Sequence, residues 1–135
     1  MTFHKKAVLD ANIAIRAVFG VRVRHMLSTY SEIVSFHIPD ICVEEARKSV
    51  PPIAERRNTD PAIAGALLEE VDRNLYEAYE TSSRKRIAAR DPNDWPILAT
   101  ALLLDCPIWT EDKDFFGSGV ATWTTANVEL YLCDA

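Results

Sequence analysis

The chain has 135 residues, of which 48% are apolar and 26% charged, and a formal net charge of −5. That is the size and balance of one α/β-sized globular domain over 1–135 with a core of its own; it excludes a disordered, collagen-like or repeat protein, and no apolar run approaches the ~20 residues that a membrane-spanning helix needs. The acidic balance argues against a surface that coats nucleic acid, but as an average it leaves room for acids gathered in one pocket with bases at its rim.

In chain order, the apolar run KAVL at 6–9 reads as a first strand ending at Asp10. ANIAIRAVFG then places apolar residues at Ile13, Ala14, Ala17 and Val18, a helical period closed by Gly20. VRVRHMLSTY predicts a second short helix, and EIVSFHI at 32–38 a second strand stopped by Pro39. From Pro39 or Asp40 a helix runs through ICVEEARKSV and is expected to end at Pro51-Pro52. After Asp60-Pro61, Ile63, Leu67, Val71 and Leu75 recur every four residues, with Leu68, Tyr76 and Tyr79 beside them, which predicts the longest helix of the chain. SSRKRIAARDP is a polar, basic connection, and a helix follows from Asp94 through WPILATALLL. CPIWT predicts a strand, DFFGSG a loop, VATWT a last strand, and ANVELYL a closing helical turn or two. Short strands alternating with helices predict an α/β fold with a mostly parallel sheet, whose ligands bind beyond the carboxyl ends of the strands.

The residues at those strand ends are nearly all acids. Asp10 ends the first strand, and Asp112 and Asp114 follow CPIWT; Asp94 opens the helix that leads into it, and Glu44 and Glu45 lie about one turn into the helix after the second strand. Each has a purely structural alternative. Asp91 before Pro92 is a natural N-cap, and Asp94 can cap the helix that holds Pro96 in its first turn. Glu44 and Glu45 can be solvated, and Asp112 and Asp114 can form turns. Asp10 resists such an account: apolar AVL and ANIAI flank it, a lone buried carboxylate is costly, and no neighbouring Lys or Arg is an evident partner.

Convergence of such acids would cost ~4 kcal/mol per pair at ~4 Å and an effective dielectric near ~20, so the cluster must be partly protonated or hold a cation. Cys42, Cys106 and Cys133, like His4, His25 and His37, are scattered without zinc-site spacing. The cysteines read as reduced thiols in a core rather than a disulfide framework. Oxygen-only ligands select a hard ion such as Mg²⁺ or Mn²⁺. Such an ion ionises a water and neutralises a phosphorane-like transition state, and a pair of ions also steadies the leaving oxygen, which suits phosphodiester hydrolysis.

The motifs VLDANIAI (8–15), IPDICVEEARKSV (38–50), DPNDWPILATALLL (91–104) and WTEDKDFFGSGVATW (109–123) resemble the PIN-domain ribonuclease family, in its VapC-type toxin branch. They cover almost the whole chain in the family's order, and their combination is specific where any one alone is weak. The resemblance implies a three-layer α/β/α fold with a short, mostly parallel central sheet. Its four acids fall on Asp10, on Glu45 or alternatively Glu44, on Asp94 and on Asp112, and these are the implied metal ligands. Glu45 is preferred because Ala46 and Val50 then occupy the apolar positions that follow it. Asp114 matches an additional acid beside the fourth, Asn12 and Thr110 match polar residues that support the site, and Asp91 is an extra acid of the DPND version. The resemblance implies Mg²⁺- or Mn²⁺-dependent cleavage of single-stranded RNA, one or two ions, a homodimer, and inhibition by a small antitoxin protein whose C-terminal segment covers the acidic groove. Glu111, between Thr110 and Asp112, is expected to face solvent.

An RNA substrate needs cations around that negative pocket, and Arg84, Lys85, Arg86 and Arg90 in the connection before Asp91 are candidates, with Arg22 and Arg24 as a second set. Trp109 and Trp123 read as core residues, while Trp95 is placed near the rim. A PIN-like module that docks RNA or protein without catalysis is the alternative, against which every acidic position is filled. A phosphatase of another α/β fold would show a D-x-D nucleophile after its first strand, where this chain has only the partial match Asp10-Ala-Asn12, or a Gly-rich phosphate loop, which it lacks. The basic start MTFHKKAVLD reaches Asp10 before an apolar segment of signal-peptide length, and the expected location is cytoplasmic.

Overall fold

The computed structural model describes residues 5–73, 76–78 and 95–133. Five strands form one sheet: β1 (Lys5–Leu9), β2 (Val34–Pro39), β3 (Tyr76–Ala78), β4 (Ile108–Trp109) and β5 (Thr122–Trp123). Their order is β3-β2-β1-β4-β5, and every neighbouring pair is parallel. The helices are α1 (Ala11–Phe19), α2 (Val21–Thr29), α3 (Asp40–Arg56), α4 (Pro61–Arg73), α5 (Trp95–Leu104) and the short α6 (Glu129–Leu132). This is the α/β fold with a parallel sheet flanked by helices that the alternating elements predict.

The order of the strands positions the site. From β1 the chain steps outward to β2 and then β3, but β4 returns to the other side of β1. Right-handed crossovers therefore put α1–α4 on one face and α5 on the other. Consistently, α1, α3 and α4 pack on one another, whereas α5 packs on β1, β2 and β4. The reversal leaves a crevice at the carboxyl ends of β1 and β4, the general ligand position of such sheets.

β1 is buried on both sides, with Ala7, Val8 and Leu9 at most 1% exposed, as expected of a central parallel strand. Val8 pairs with His37 on one side and Ile108 on the other. Trp109 is fully buried and meets Phe36 at a centroid distance of 6.0 Å, while Trp123 stacks on Tyr131. Truncating a residue such as Leu9 to Ala would cost roughly 2–5 kcal/mol. At the junction of α1 and α2, Gly20 donates its N–H to Arg16 O at 2.7 Å, and a Cβ there would lie 2.9 Å from the same oxygen.

Four local expectations are corrected. α3 does not stop at Pro51-Pro52 but runs to Arg56. Both prolines are exposed, so water can satisfy the carbonyls they leave bare, while buried Val50 and Ala54 carry the apolar stripe past them. The helix ends instead at Asn58, whose φ of 55° is left-handed, with the Thr59 N–H on Ala54 O. With 17 residues α3 is also longer than the 13-residue α4. On α4 the buried positions are Ala64 and Leu68, and Ile63 is 58% exposed: the stripe is turned by one residue because small Ala64 allows α1 and α3 to approach. Finally, β3 occupies Tyr76–Ala78 inside the predicted helical run. Of the cysteines, Cys42 and Cys106 lie in the core, but Cys133 is exposed; none is in a disulfide. Among the described residues no helix is long and apolar enough to cross a membrane.

Candidate active site

Asp10 stands where β1 becomes α1, and serves as the N-cap of that helix, its Oδ1 accepting the Ala11 N–H at 2.6 Å. Its Oδ2 accepts from Asn12 Nδ2 at 2.8 Å and from Thr110 Oγ1 at 2.7 Å. Thr110 comes from the adjacent end of β4 and is fully buried; its hydroxyl oxygen in turn accepts the Asp112 N–H at 3.0 Å. Asn12 reaches across as well, its Oδ1 accepting the Glu111 N–H at 3.4 Å. The parallel pairing of β1 and β4 thus ties residues ~100 apart in sequence into one network, and it does so through short polar side chains that fit the narrow crevice.

All three donors to Asp10 are neutral. Asp10 is only 5% exposed, and among the described residues no Lys or Arg forms an ion pair with it. Burial pushes its carboxyl above the ordinary aspartate range; hydrogen bonds from Thr110, Ala11 and Asn12 pull it back, and the charge of Asp112 pushes it further up. The charge of Asp112 is thus felt at Asp10, and among the described residues no cation pairs with either carboxylate. Three of the roughly four acceptor positions of the Asp10 carboxylate are filled, which leaves one on Oδ1.

Asp112 has a turn-forming role too. Its Oδ1 accepts the Asp114 N–H at 2.9 Å and opens a single 3₁₀ turn at Lys113–Phe115. Fully buried Phe115 anchors that turn. The side chain of Asp114 is exposed.

Glu44 and Glu45 both lie on exposed positions of α3. Glu44 pairs with Arg47, which also makes a two-pronged contact with Glu69 of α4: Nε to Oε1 at 2.7 Å and Nη2 to Oε2 at 3.0 Å. Among the described residues no group of three or more His, Cys, Asp or Glu side chains is close enough to hold a metal ion. The structure thus brings together Asp10, Asn12, Thr110 and Asp112, and does not add Glu44 or Glu45 to them. Asp91, Asp94, Arg84, Lys85, Arg86 and Arg90 lie outside the described residues.

Glu111 corrects the expectation that it faces solvent. It is partly buried, and its Oε1 accepts the Thr125 N–H at 2.8 Å. Burial disfavours its charge, but hydrogen bonds from the Thr125 side chain and backbone, with Arg16 and Arg22 nearby, hold its carboxyl below the ordinary glutamate range. Thr125 is itself fixed from the core, its hydroxyl accepting from Trp109 Nε1 at 3.1 Å. Neither Thr125 nor Arg16 carried a local sequence signal, since their roles arise only from the loop after β5 folding back beside α1.

A PIN-domain family profile matches residues 8–133. No curated protein sequence matches the chain. Among solved structures, the chain is similar to PAE2754 from Pyrobaculum aerophilum, with a TM-score of 0.74 and 14% identity over 97% of this chain and 98% of that one. It is also similar to VapBC2 from Rickettsia felis, solved bound to a DNA fragment from their promoter, with a TM-score of 0.67 and 13% identity over 88% of this chain and 98% of that one. At such identities the likeness shows the shared fold.

Proposed function

The chain belongs to the PIN-domain family, and on that premise we propose that it is a divalent-cation-dependent ribonuclease that hydrolyses single-stranded RNA. The observation that carries the reading is the buried Asp10 carboxylate, which feels the charge of Asp112 and has, among the described residues, neutral donors only and one acceptor position still open. A hard ion such as Mg²⁺ or Mn²⁺ fits this donor set, because every available donor is oxygen and the net charge calls for a cation. Asp10 and Asp112 would hold it, with Asp94 and Glu45 as the remaining acids. Glu44 is engaged by Arg47, which also holds Glu69, and Glu45 stays the preferred acid on the apolar spacing of Ala46 and Val50 after it. When bound, the ion lowers the pKa of water and neutralises charge developing on the phosphate.

The protein's own part is orientation. Thr110 and Asn12 fix the Asp10 carboxylate from one side, so that its free lone pair points in one direction rather than sampling several. The Asp112 backbone is tethered to the same Thr110 hydroxyl, which fixes that backbone relative to the Asp10 carboxylate. The burial around Thr110 and Asp10 excludes water and strengthens the attraction for a cation. Resemblance to VapC-type toxins, with the likeness to VapBC2, extends the reading to a small inhibitory antitoxin and a homodimer.

A cleavage assay on single-stranded RNA, with Mg²⁺ or with EDTA, tests the proposal on the wild type and on Asp10→Asn and Asp94→Asn. Cleavage is expected only with the cation and only in the wild type, leaving 5′-phosphate ends. Cleavage that persists in EDTA, or full activity in either variant, would overturn it.

A further inference from the structure

On the α1 side of the acid pair lies a cleft of about 420 Å³, within the range of small-ligand pockets. It is bordered by Arg16, Arg22 and Arg57, drawn from α1, α2 and the end of α3, over an apolar floor that includes Phe19 and Ile53. Among the described residues Glu111 is its one acid, leaving an excess of two positive charges in a chain whose net charge is −5. Among the described residues none of the three arginines forms an ion pair. Glu111 is instead held by the Thr125 N–H, and Arg57 lies over the Phe19 ring at 5.4 Å from its centroid. Glu111 feels the charge of Arg16 and Arg22 without closing an ion pair with either, and three guanidinium groups around one carboxylate leave donor forks shaped for phosphate.

The position of the cleft says which anion. Glu111, which lines the cleft, stands between Thr110 and Asp112 in the chain and its N–H reaches Asn12, so this one residue joins the cleft lining to the network around Asp10. We propose that this arginine cleft carries the RNA strand away from the scissile phosphodiester, with Arg16, Arg22 and Arg57 on its backbone phosphates and a base against the Phe19–Ile53 floor. This rests on the ribonuclease reading and adds to it the path of the substrate. An extended strand suits the site because apolar and aromatic surface interleaved with cations is how single strands are held without sequence readout. The structure also separates two residues alike in sequence: Arg22 borders the cleft and Arg24 does not.

The test is binding of a labelled single-stranded RNA 12-mer to the full-length chain in EDTA, measured by fluorescence anisotropy across a salt series. Arg22→Gln/Arg57→Gln is compared with Lys48→Gln/Arg56→Gln, which removes the same charge from exposed α3 positions outside the cleft. The cleft variant should bind more weakly and lower the log–log salt slope by about 1.4, at ~0.7 per lost single-strand phosphate contact. The control should retain the wild-type slope. Equal slopes in all three proteins would overturn the cleft while leaving Mg²⁺-dependent cleavage, and hence the ribonuclease reading, standing. Loss of glutamate-decapeptide binding in the cleft variant with RNA binding unchanged would also overturn it, in favour of an acidic protein partner. A cleft variant with the expected slope loss, beside a wild type that never cleaves the RNA, keeps the cleft and sinks the enzyme.

Discussion

The chain gathers carboxylates in two places, and their repulsion is met differently in each. On the surface of α3 and α4, Glu44 and Glu69 share the Arg47 guanidinium, which lies between them and whose pKa they raise. At the ends of β1 and β4, Asp10 and Asp112 share a neutral threonine instead. The first cluster is complete as the chain folds. The second has Thr110 and Asn12 as geometric support and, among the described residues, no counter-charge, which is why the proposed function gives it a cation from solution. The lesson is that an acidic cluster gains meaning from what stands between its members.

The largest effect that would break this contrast concerns cation binding. Mg²⁺ at about 100 times its Kd should stabilise the wild type by ~2.7 kcal/mol, visible as a rise in Tm. Asp10→Asn should show little or none of that rise, and an equal rise in both proteins would mean the ion sits elsewhere.

Next comes the threonine. Thr110→Val removes the donor to Asp10 and the acceptor of the Asp112 N–H, so a loss of about 1–3 kcal/mol in stability is expected. Activity should fall about 10–100-fold, as for other groups that orient ligands. Urea unfolding and kcat/KM measure the two, and an unchanged kcat/KM would remove Thr110 from the site.

The pH dependence sharpens the same point. The folded pKa of Asp10 is raised, so between the unfolded value of ~3.9 and that raised value the folded state binds more protons. Its contribution is fully present below ~3.9 and is lost as pH rises through the folded value, at no more than ~1.4 kcal/mol per pH unit. In EDTA, urea titrations should therefore find the wild type losing stability relative to Asp10→Asn across that window as pH rises, and Mg²⁺ should suppress the trend. A parallel pair of curves would show that Asp10 is not strained without a cation.

Arg47→Met should do least. Both acids it bridges are partly exposed, so the expected loss is below ~1 kcal/mol, with RNA cleavage unchanged. A collapse of activity would mean that the two clusters are one system after all.

Much of this was legible before any coordinates. The apolar flanks of Asp10 mark a buried acid, and the run from 6 to 20 already contains its strand, helix and closing glycine. Asp112 and Thr110 could be placed because a short apolar strand precedes them. Other features resisted. Tyr76–Ala78 looks helical by spacing but pairs with β2, and Pro51-Pro52 reads as a stop although the helix passes through. In both cases packing against a neighbour outweighs a preference worth at most a few kcal/mol.

Sequence alone determined which residues are acidic, which runs are buried, and hence that carboxylates crowd the strand ends of an α/β domain, because periodicity and burial cost act within a few residues. Only the tertiary structure decided how charges pair. Arg47 bridges Glu44 to Glu69 because α4 comes alongside α3, Glu111 turns inward because Thr125 comes to meet it, and three arginines from separate helices share one cleft. Coulomb and hydrogen-bond energies depend on distance through space, which the order of the letters does not contain.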